Sequence, residues 1–360
     1  MRVLLAPNPF KHCLRAAQVA GHLAHGFRAA GWQVDALPLA DGGPGTLDAV
    51  QAALGGQRRY ARVADALGRP IRAAWLKLGR LAVIESAEAI GLERLGARRA
   101  PLEASTEGLG QMLLAVQRAG CKEAWVGLGG SATTDGGTGL ARALGWRFVD
   151  AEGRDLSRGG ASLASLAKVL RPKKKLLRLK VRVLCDVRNP LTGPRGAARV
   201  FGPQKGASVA QVRRLELGLR RLARLHRPTL ARQAGAGAAG GAAYGSLAFA
   251  DAGLRPGAET LLQLTRFQAR LRRADLVVTG EGRLDAQTLQ GKLPAVVLAA
   301  ARKAGKACAL VAGEVRGSAQ AWQRRGALAA LALRRPGFSR QRSIREAPKL
   351  LRDFARRLGA

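Results

Sequence analysis

The first hydrophobic residues of the chain form one unbroken block, Val3-Leu-Leu-Ala6, closed by Pro7-Asn8-Pro9. An unbroken block suits a strand covered on both faces. A helix is predicted over residues 14–30, with Val19, Ala20, Leu23 and Phe27 on one face and Gly31 at its end. A strand over 33–39 and a helix over 47–54 follow, and this β-α-β-α order argues for parallel strands with helical crossovers. The pattern then changes. Segments at 61–64, 71–78 and 81–85, separated by turns at Gly68-Arg-Pro70 and Gly79-Arg80, read as antiparallel strands and mark the start of a second domain.

Alternation resumes with a helix over 107–119, a strand over 124–128 and a helix after Gly139. Residues 154–171 read as irregular, and a strand over 179–184 leads into Cys185-Asp-Val-Arg-Asn-Pro-Leu191. Residues 209–225 carry a strong helical period, with Val209, Val212, Leu215, Leu219, Leu222 and Leu225 on one face and arginines on the other. Buried strands are expected over 274–279 and 307–312, with a helix over 293–303 between them. A last strand over 328–333 and a basic amphipathic helix over 344–358 complete the chain, which has no repeat of fixed period.

Length and composition narrow the class. The 360 residues are enough for two cored domains, and 47% hydrophobic content is ordinary for a globular protein. Apolar runs stop well short of the roughly 18 residues of a membrane span. No signal-peptide pattern precedes the first strand, so a cytoplasmic location is expected. Cys13, Cys121, Cys185 and Cys308 lie far apart and read as reduced thiols rather than a metal or disulfide set. The charge is extreme, 61 Lys+Arg against 24 Asp+Glu, for a net of +37. The cations are scattered, with Lys173-Lys-Lys175 as the tight cluster, and the sparse aromatics are not interleaved with them as a base-stacking platform needs. Compositional bias is therefore favoured, and no specific nucleic-acid partner is expected.

Candidate chemistry gathers where apolar runs meet glycine. Gly129-Gly-Ser-Ala-Thr-Thr-Asp-Gly-Gly-Thr-Gly139 stands between a strand and a helix, the layout that aims backbone N–H groups at an anion. Its glycines lack the Cβ atoms that would hold a ligand off the backbone. Ser131, Thr133 and Thr134 add hydroxyls, and Asp135 adds a carboxylate. A tight surface turn would use the same glycines for geometry alone. Asp41-Gly-Gly-Pro-Gly-Thr46 and Thr279-Gly-Glu-Gly-Arg-Leu-Asp285 also follow apolar runs, each setting a carboxylate at the strand end where open α/β sheets bind ligands. Gly235-Ala-Gly-Ala-Ala-Gly240 fits G-x-G-x-x-G but follows a polar helix end. A glycine-lined approach to a ligand is expected there, not a dinucleotide site. Neither a Walker A sequence nor the protein-kinase motif set occurs. A kinase activity would thus need another phosphate cradle, which residues 129–139 could supply.

Taken in order, Asp41-Gly-Gly, Gly129-Gly-Ser-Ala-Thr-Thr-Asp-Gly-Gly137, Cys185-Asp-Val-Arg-Asn-Pro-Leu191, Gly193-Pro-Arg-Gly196, Phe201-Gly-Pro-Gln-Lys-Gly206, Gly235-Ala-Gly-Ala-Ala-Gly-Gly241 and Thr279-Gly-Glu-Gly-Arg-Leu-Asp285 closely resemble the bacterial type I glycerate kinase family. The likeness runs from residue 1 to about residue 315. It implies transfer of the ATP γ-phosphoryl group to a hydroxyl of D-glycerate, giving 2-phosphoglycerate, with ATP and Mg2+ required. It also implies an α/β fold of two domains. One is a Rossmann-like parallel sheet with helices on both faces, built from both chain ends (1–60 plus about 275–360). The other is an inserted mixed α/β domain over about 61–274, with the active site in the cleft between them and a homodimer as the candidate assembly.

Phosphoryl transfer is mostly positioning plus charge neutralisation. Asp186, at a strand end, is the candidate for orienting or deprotonating the acceptor hydroxyl, with Asn189 and Lys11 completing the catalytic set; an Asp capping the turn before Pro190 is the plainer reading. Gly129, Gly130, Ser131, Thr133, Lys205, Arg283 and Lys292 are candidates for phosphate and substrate contacts, and Asp41, Asp135, Glu281 and Asp285 for the metal. Each carboxylate could instead be a turn residue, and each cation a solvated charge. The chain also departs from the family. Its first loop reads Asn8-Pro9-Phe10-Lys11 where Asp-Ser-Phe-Lys is usual, and then His12-Cys13 where a small or acidic residue and Ser are typical. In the second loop Pro44 replaces a usual Glu. Asn8 cannot carry negative charge, and Pro9 lacks a hydroxyl and an N–H. Both changes bear on substrate handling. The alternative readings are therefore a kinase for another small hydroxy acid and, second, a basic nucleic-acid-associated protein.

Overall fold

The unbroken apolar blocks fold as the central strands of parallel arrays. The computed structural model describes residues 1–10, 13–286, 288–335 and 337–360, with the backbone alone at 290. In chain order the strands are β1 (Arg2–Pro7), β2 (Gln33–Ala36), β3 (Gln57–Ala64), β4 (Pro70–Leu78), β5 (Leu81–Glu85), β6 (Glu123–Gly127) and β7 (Arg147–Val149). They continue with β8 (Lys168–Leu170), β9 (Lys180–Leu184), β10 (Gly253–Arg255), β11 (Leu276–Leu284), β12 (Ala307–Val315) and β13 (Ala329–Ala332). The chain divides into two compact units, Met1–Asp41 with Asp48–Gly55 and Ala258–Ala360, and Gly42–Leu47 with Gly56–Gly257. Among the described residues no helix is long and apolar enough to cross a membrane.

The first unit holds a five-stranded, all-parallel sheet in the order β13-β12-β11-β1-β2. Side chains alternate between its faces. Val3, Leu5, Leu276, Val278, Ala309 and Val311 enter one buried cluster, with Leu23 and Phe27 of the helix Ala16–Ala29 and Leu351 and Phe354 of the helix Arg340–Gly359. Leu4, Val277, Leu310 and Ala312 enter the other, against Leu293, Val297 and Ala301 of the helix Leu293–Lys303. Two-sided cover explains why these strands show no polar alternation. The C-terminal amphipathic segment packs so closely that a Cβ added at Gly26 would lie 2.3 Å from the Arg352 carbonyl.

The second unit holds a six-stranded mixed sheet, β10-β9-β6-β5-β4-β3. Strands β3, β4 and β5 are the expected antiparallel run, while β5, β6, β9 and β10 are parallel. The helix Glu107–Arg118 lays Leu109, Met112, Leu113 and Val116 on Val126, Val181 and Val183. The helix Val209–Leu225 buries Leu215, Leu219 and Leu222 in a separate cluster with Phe148, Tyr244 and Phe249. Each fully buried Leu adds roughly 1.5–3 kcal/mol over an exposed one. One expectation is corrected here. Within the stretch 154–171, read as irregular, β8 pairs antiparallel with β7 through Lys168–Val149, Val169–Phe148 and Leu170–Arg147.

Candidate active site

In the first unit the chain leaves β1 toward β2 on one side, and β11 toward β12 on the other, although β1 and β11 are neighbours. Such a reversal opens a crevice at the carboxyl ends of the two strands. Their tips are laced together: the Asn8 N–H donates to the Gly280 carbonyl at 2.8 Å, and Thr279 Oγ1 to the Ala6 carbonyl at 2.7 Å. Asn8 is 5% exposed, and its Nδ2 donates to Asp41 Oδ2 at 3.3 Å. Its Oδ1 is buried with no hydrogen-bond partner among the described residues.

Glu281, at the end of β11, is also buried, and it accepts from Thr288 Oγ1 at 2.6 Å. Burial raises its pKa, the Asp41 and Asp285 carboxylates push the same way, and the Thr288 hydroxyl and Lys292 oppose them. Asp285 is tied to the same threonine, donating its N–H to Thr288 Oγ1 and accepting the Thr288 N–H, and it also pairs with Arg283 at 2.9 Å. Lys292 caps the helix Leu293–Lys303. Asp41, Glu281, Asp285, Arg283 and Lys292 are thus brought near one another, with Asn8 bonded to Asp41. Lys11 lies outside the described residues.

Among the described residues no group of three or more His, Cys, Asp or Glu side chains could hold a metal ion unaided. Mg2+ keeps several waters and takes one or two carboxylates plus phosphate oxygens rather than an all-protein cage. The buried carboxylate, the carboxamide oxygen without a partner and the flanking Asp41 and Asp285 form an oxygen-only donor set of the hard-cation type.

The second unit gathers other motif residues at the carboxyl ends of β5, β6 and β9, where Glu85, Gly127 and Leu184 stand in register. The segment Gly42–Leu47 lies against these ends. Gly129 donates its N–H to the Gly42 carbonyl at 3.2 Å, and a Cβ at Gly127 would fall 2.2 Å from that carbonyl. Glycine is needed there because backbone meets backbone. Pro44 packs on Gly130, a Cβ at which would be 3.0 Å from the proline ring. Glu85 was not anticipated. It is buried and accepts the Leu47 N–H at 2.6 Å. A lone acid closing the apolar run of β5 was the available signal.

Asp186, two residues beyond β9, accepts the Gly257 N–H on Oδ1 at 2.8 Å. Asn189 spends its Nδ2 on the Arg195 carbonyl at 2.7 Å, bracing its own loop. Cys185 beside them is an inert thiol, its pKa pushed up to about 12 mainly by burial.

The glycine turn has two halves. In the second, Asp135 is fully buried and accepts from the Thr106 N–H and Oγ1 at 2.8 Å, and from the Gly137 and Gly139 N–H groups at 3.1 Å. Three of these four bonds fall on Oδ2 and one on Oδ1. Burial raises its pKa against the pull of those four donors. The Gly136 N–H goes to the Gly240 carbonyl and the Leu140 N–H to Thr106 Oγ1, so these donors are spent inside the fold. The segment after Gly235 backs this turn and is no separate ligand approach. Ala239, Gly240 and Gly241 are all left-handed, and a Cβ at Gly240 would sit 1.9 Å from the Thr133 carbonyl.

In the first half, Lys205 is 3% exposed, and its Nζ donates to the Thr133 carbonyl at 2.6 Å and to Ser131 Oγ at 3.3 Å. Burial lowers its pKa to about 7, with Asp135 pulling it back up. Gly129, Gly130, Ser131, Thr133 and Lys205 are therefore together, with Asp135 beneath them. Thr106 is the positioning residue that sequence reasoning missed; one hydroxyl in a loop carries no pattern.

The sequence profile of the glycerate kinase family matches residues 3–360. Glycerate kinase of Halalkalibacterium halodurans is 38% identical over 99% of this chain and 97% of its own length. Glycerate 2-kinase of Escherichia coli is 39% identical over 88% of this chain and 86% of its own. The crystal structure of a candidate glycerate kinase 2 from Salmonella typhimurium LT2 superposes with a TM-score of 0.82 at 36% identity, covering 100% of this chain and 97% of that one.

Proposed function

Since this chain belongs to the glycerate kinase family, a family of phosphotransferases acting on an alcohol, we propose that it phosphorylates the 2-hydroxyl of D-glycerate from Mg2+-ATP. The observation that carries the reading is a local reversal of charge. In a chain with a net charge of +37, the crevice between β1 and β11 collects Asp41, Glu281 and Asp285, with the buried Asn8 amide bonded to Asp41. Against that background a concentration of carboxylates marks a cation site.

In this reading Asp41 and Glu281 hold Mg2+ together with the nucleotide phosphates, and the ion, when bound, neutralises phosphate charge. Lys205 fixes Ser131 by donating to its Oγ, which leaves the Ser131 O–H free to donate to an anion. Gly129, Gly130 and Thr133 shape the same surface, while Asp135 braces it from below through its bonds to Thr106, Gly137 and Gly139. Asp186 takes the proton of the attacking hydroxyl as the new O–P bond forms and ADP leaves. Asn189 holds the Asp186 loop. Lys292 and Arg283 supply positive charge beside the carboxylates.

Asn8 and Pro44, where the family usually has acids, favour as second reading a kinase for a related hydroxy acid. Initial rates of ADP formation with D-glycerate, L-glycerate, glycolate and lactate decide between them. The highest kcat/KM is expected with D-glycerate, and turnover confined to another acid would reject it.

A further inference from the structure

We propose that Asn8 is an uncharged ligand of the catalytic cation, its carboxamide oxygen standing beside Asp41 and Glu281; the inference rests on the Mg2+-ATP reading above. Its orientation is settled by chemistry, because only the nitrogen of the amide can donate to Asp41 Oδ2. The backbone is held as well, through the N–H to the Gly280 carbonyl. The β1–β11 register pairs Pro7 with Gly280, so Asn8 lies one step on, alongside Glu281. The remaining oxygen is buried without a partner among the described residues.

A buried acceptor left unsatisfied costs roughly 1–3 kcal/mol, so a residue held this rigidly points to a missing counterpart. The carboxylates acting on Glu281 are those of Asp41 and Asp285, which are acceptors too. A donor such as a substrate hydroxyl would satisfy one oxygen only. A hard cation satisfies several at once. The amide also suits its neighbour: a carboxylate at position 8 would face Asp41 across 3.3 Å, whereas the amide nitrogen donates to it. The site therefore carries one negative charge fewer than an all-carboxylate version, and its cation affinity is correspondingly moderate.

The test is cation affinity, measured on the full chain by Mn2+ electron paramagnetic resonance with the non-hydrolysable analogue AMP-PNP present. Asn8→Asp, nearly isosteric, is expected to tighten Mn2+ by about tenfold, and Asn8→Ala to weaken it by about tenfold. Unchanged affinity in both variants, or weaker binding in Asn8→Asp, overturns the proposal. If Asn8→Ala does not fold, Asn8→Asp alone decides. Mn2+ shifts of the expected sign in a protein that does not phosphorylate D-glycerate would sustain this inference and reject the substrate. Normal D-glycerate turnover with unmoved Mn2+ affinity would do the reverse.

Discussion

Asp186→Asn is expected to lower kcat by about 10²–10⁴-fold, the usual worth of a positioned general base. The fold should be untouched. Asp186 Oδ1 accepts the Gly257 N–H at 2.8 Å, and an asparagine carbonyl accepts the same bond. The substitution keeps this acceptor and removes the ability to take a proton. KM for ATP should change little, because the interaction lost is made in the transition state. An unchanged kcat would return Asp186 to the plainer role of a turn residue before Pro190.

The second large effect is a pH dependence of stability centred on Lys205. The unfolded chain protonates this amine near its ordinary value of 10.5, but the folded protein only near about 7. Between those limits the unfolded state binds more protons, so stability rises as pH rises from about 7 to about 10.5. The slope is on the order of 1.4 kcal/mol per pH unit, which makes the whole swing a few kcal/mol. Below about pH 7 both states carry the proton, and the folded one bears the full cost of a buried charge. Lys205→Met should remove this component. In urea titrations the variant should gain on the native protein as pH falls toward 7, while its turnover drops through loss of the bonds to Ser131 and Thr133. Parallel stability curves for the two proteins from pH 7 to 10.5 would contradict the assignment.

The central strands β1 and β11 were readable because a strand covered on two faces must be apolar throughout, whereas the edge strand β10 was not. Val3-Leu-Leu-Ala6 and Leu276-Val-Val278 announce that burial residue by residue. The hairpin of β7 and β8 was not readable, since three-residue strands carry too little alternation to separate from a loop. The helix Ala238–Phe249 was hidden for another reason: its glycines and left-handed start contradict helix propensity and follow from close packing on Thr133 and Gly136.

The site divides in the same way. Residue types at strand ends marked Asp41, Asp186 and Glu281. What each carboxylate faces could not be read. Asp135 occupies a phosphate-loop sequence yet accepts four hydrogen bonds from Thr106 and its own turn, and only the three-dimensional position of the Thr106 loop reveals it. Asn8 shows the converse. By sequence it weakens an acidic loop; in the fold its amide nitrogen joins Asp41, and its oxygen is buried without a partner among the described residues.

The most direct test is product identification. After incubation of the full chain with Mg2+-ATP and uniformly 13C-labelled D-glycerate, proton-decoupled 13C NMR should show two-bond phosphorus coupling at C2, as 2-phosphoglycerate requires. Two-bond coupling at C3, which places phosphorus on the other hydroxyl, or ATP hydrolysis with no phosphorylated acid, would contradict the account.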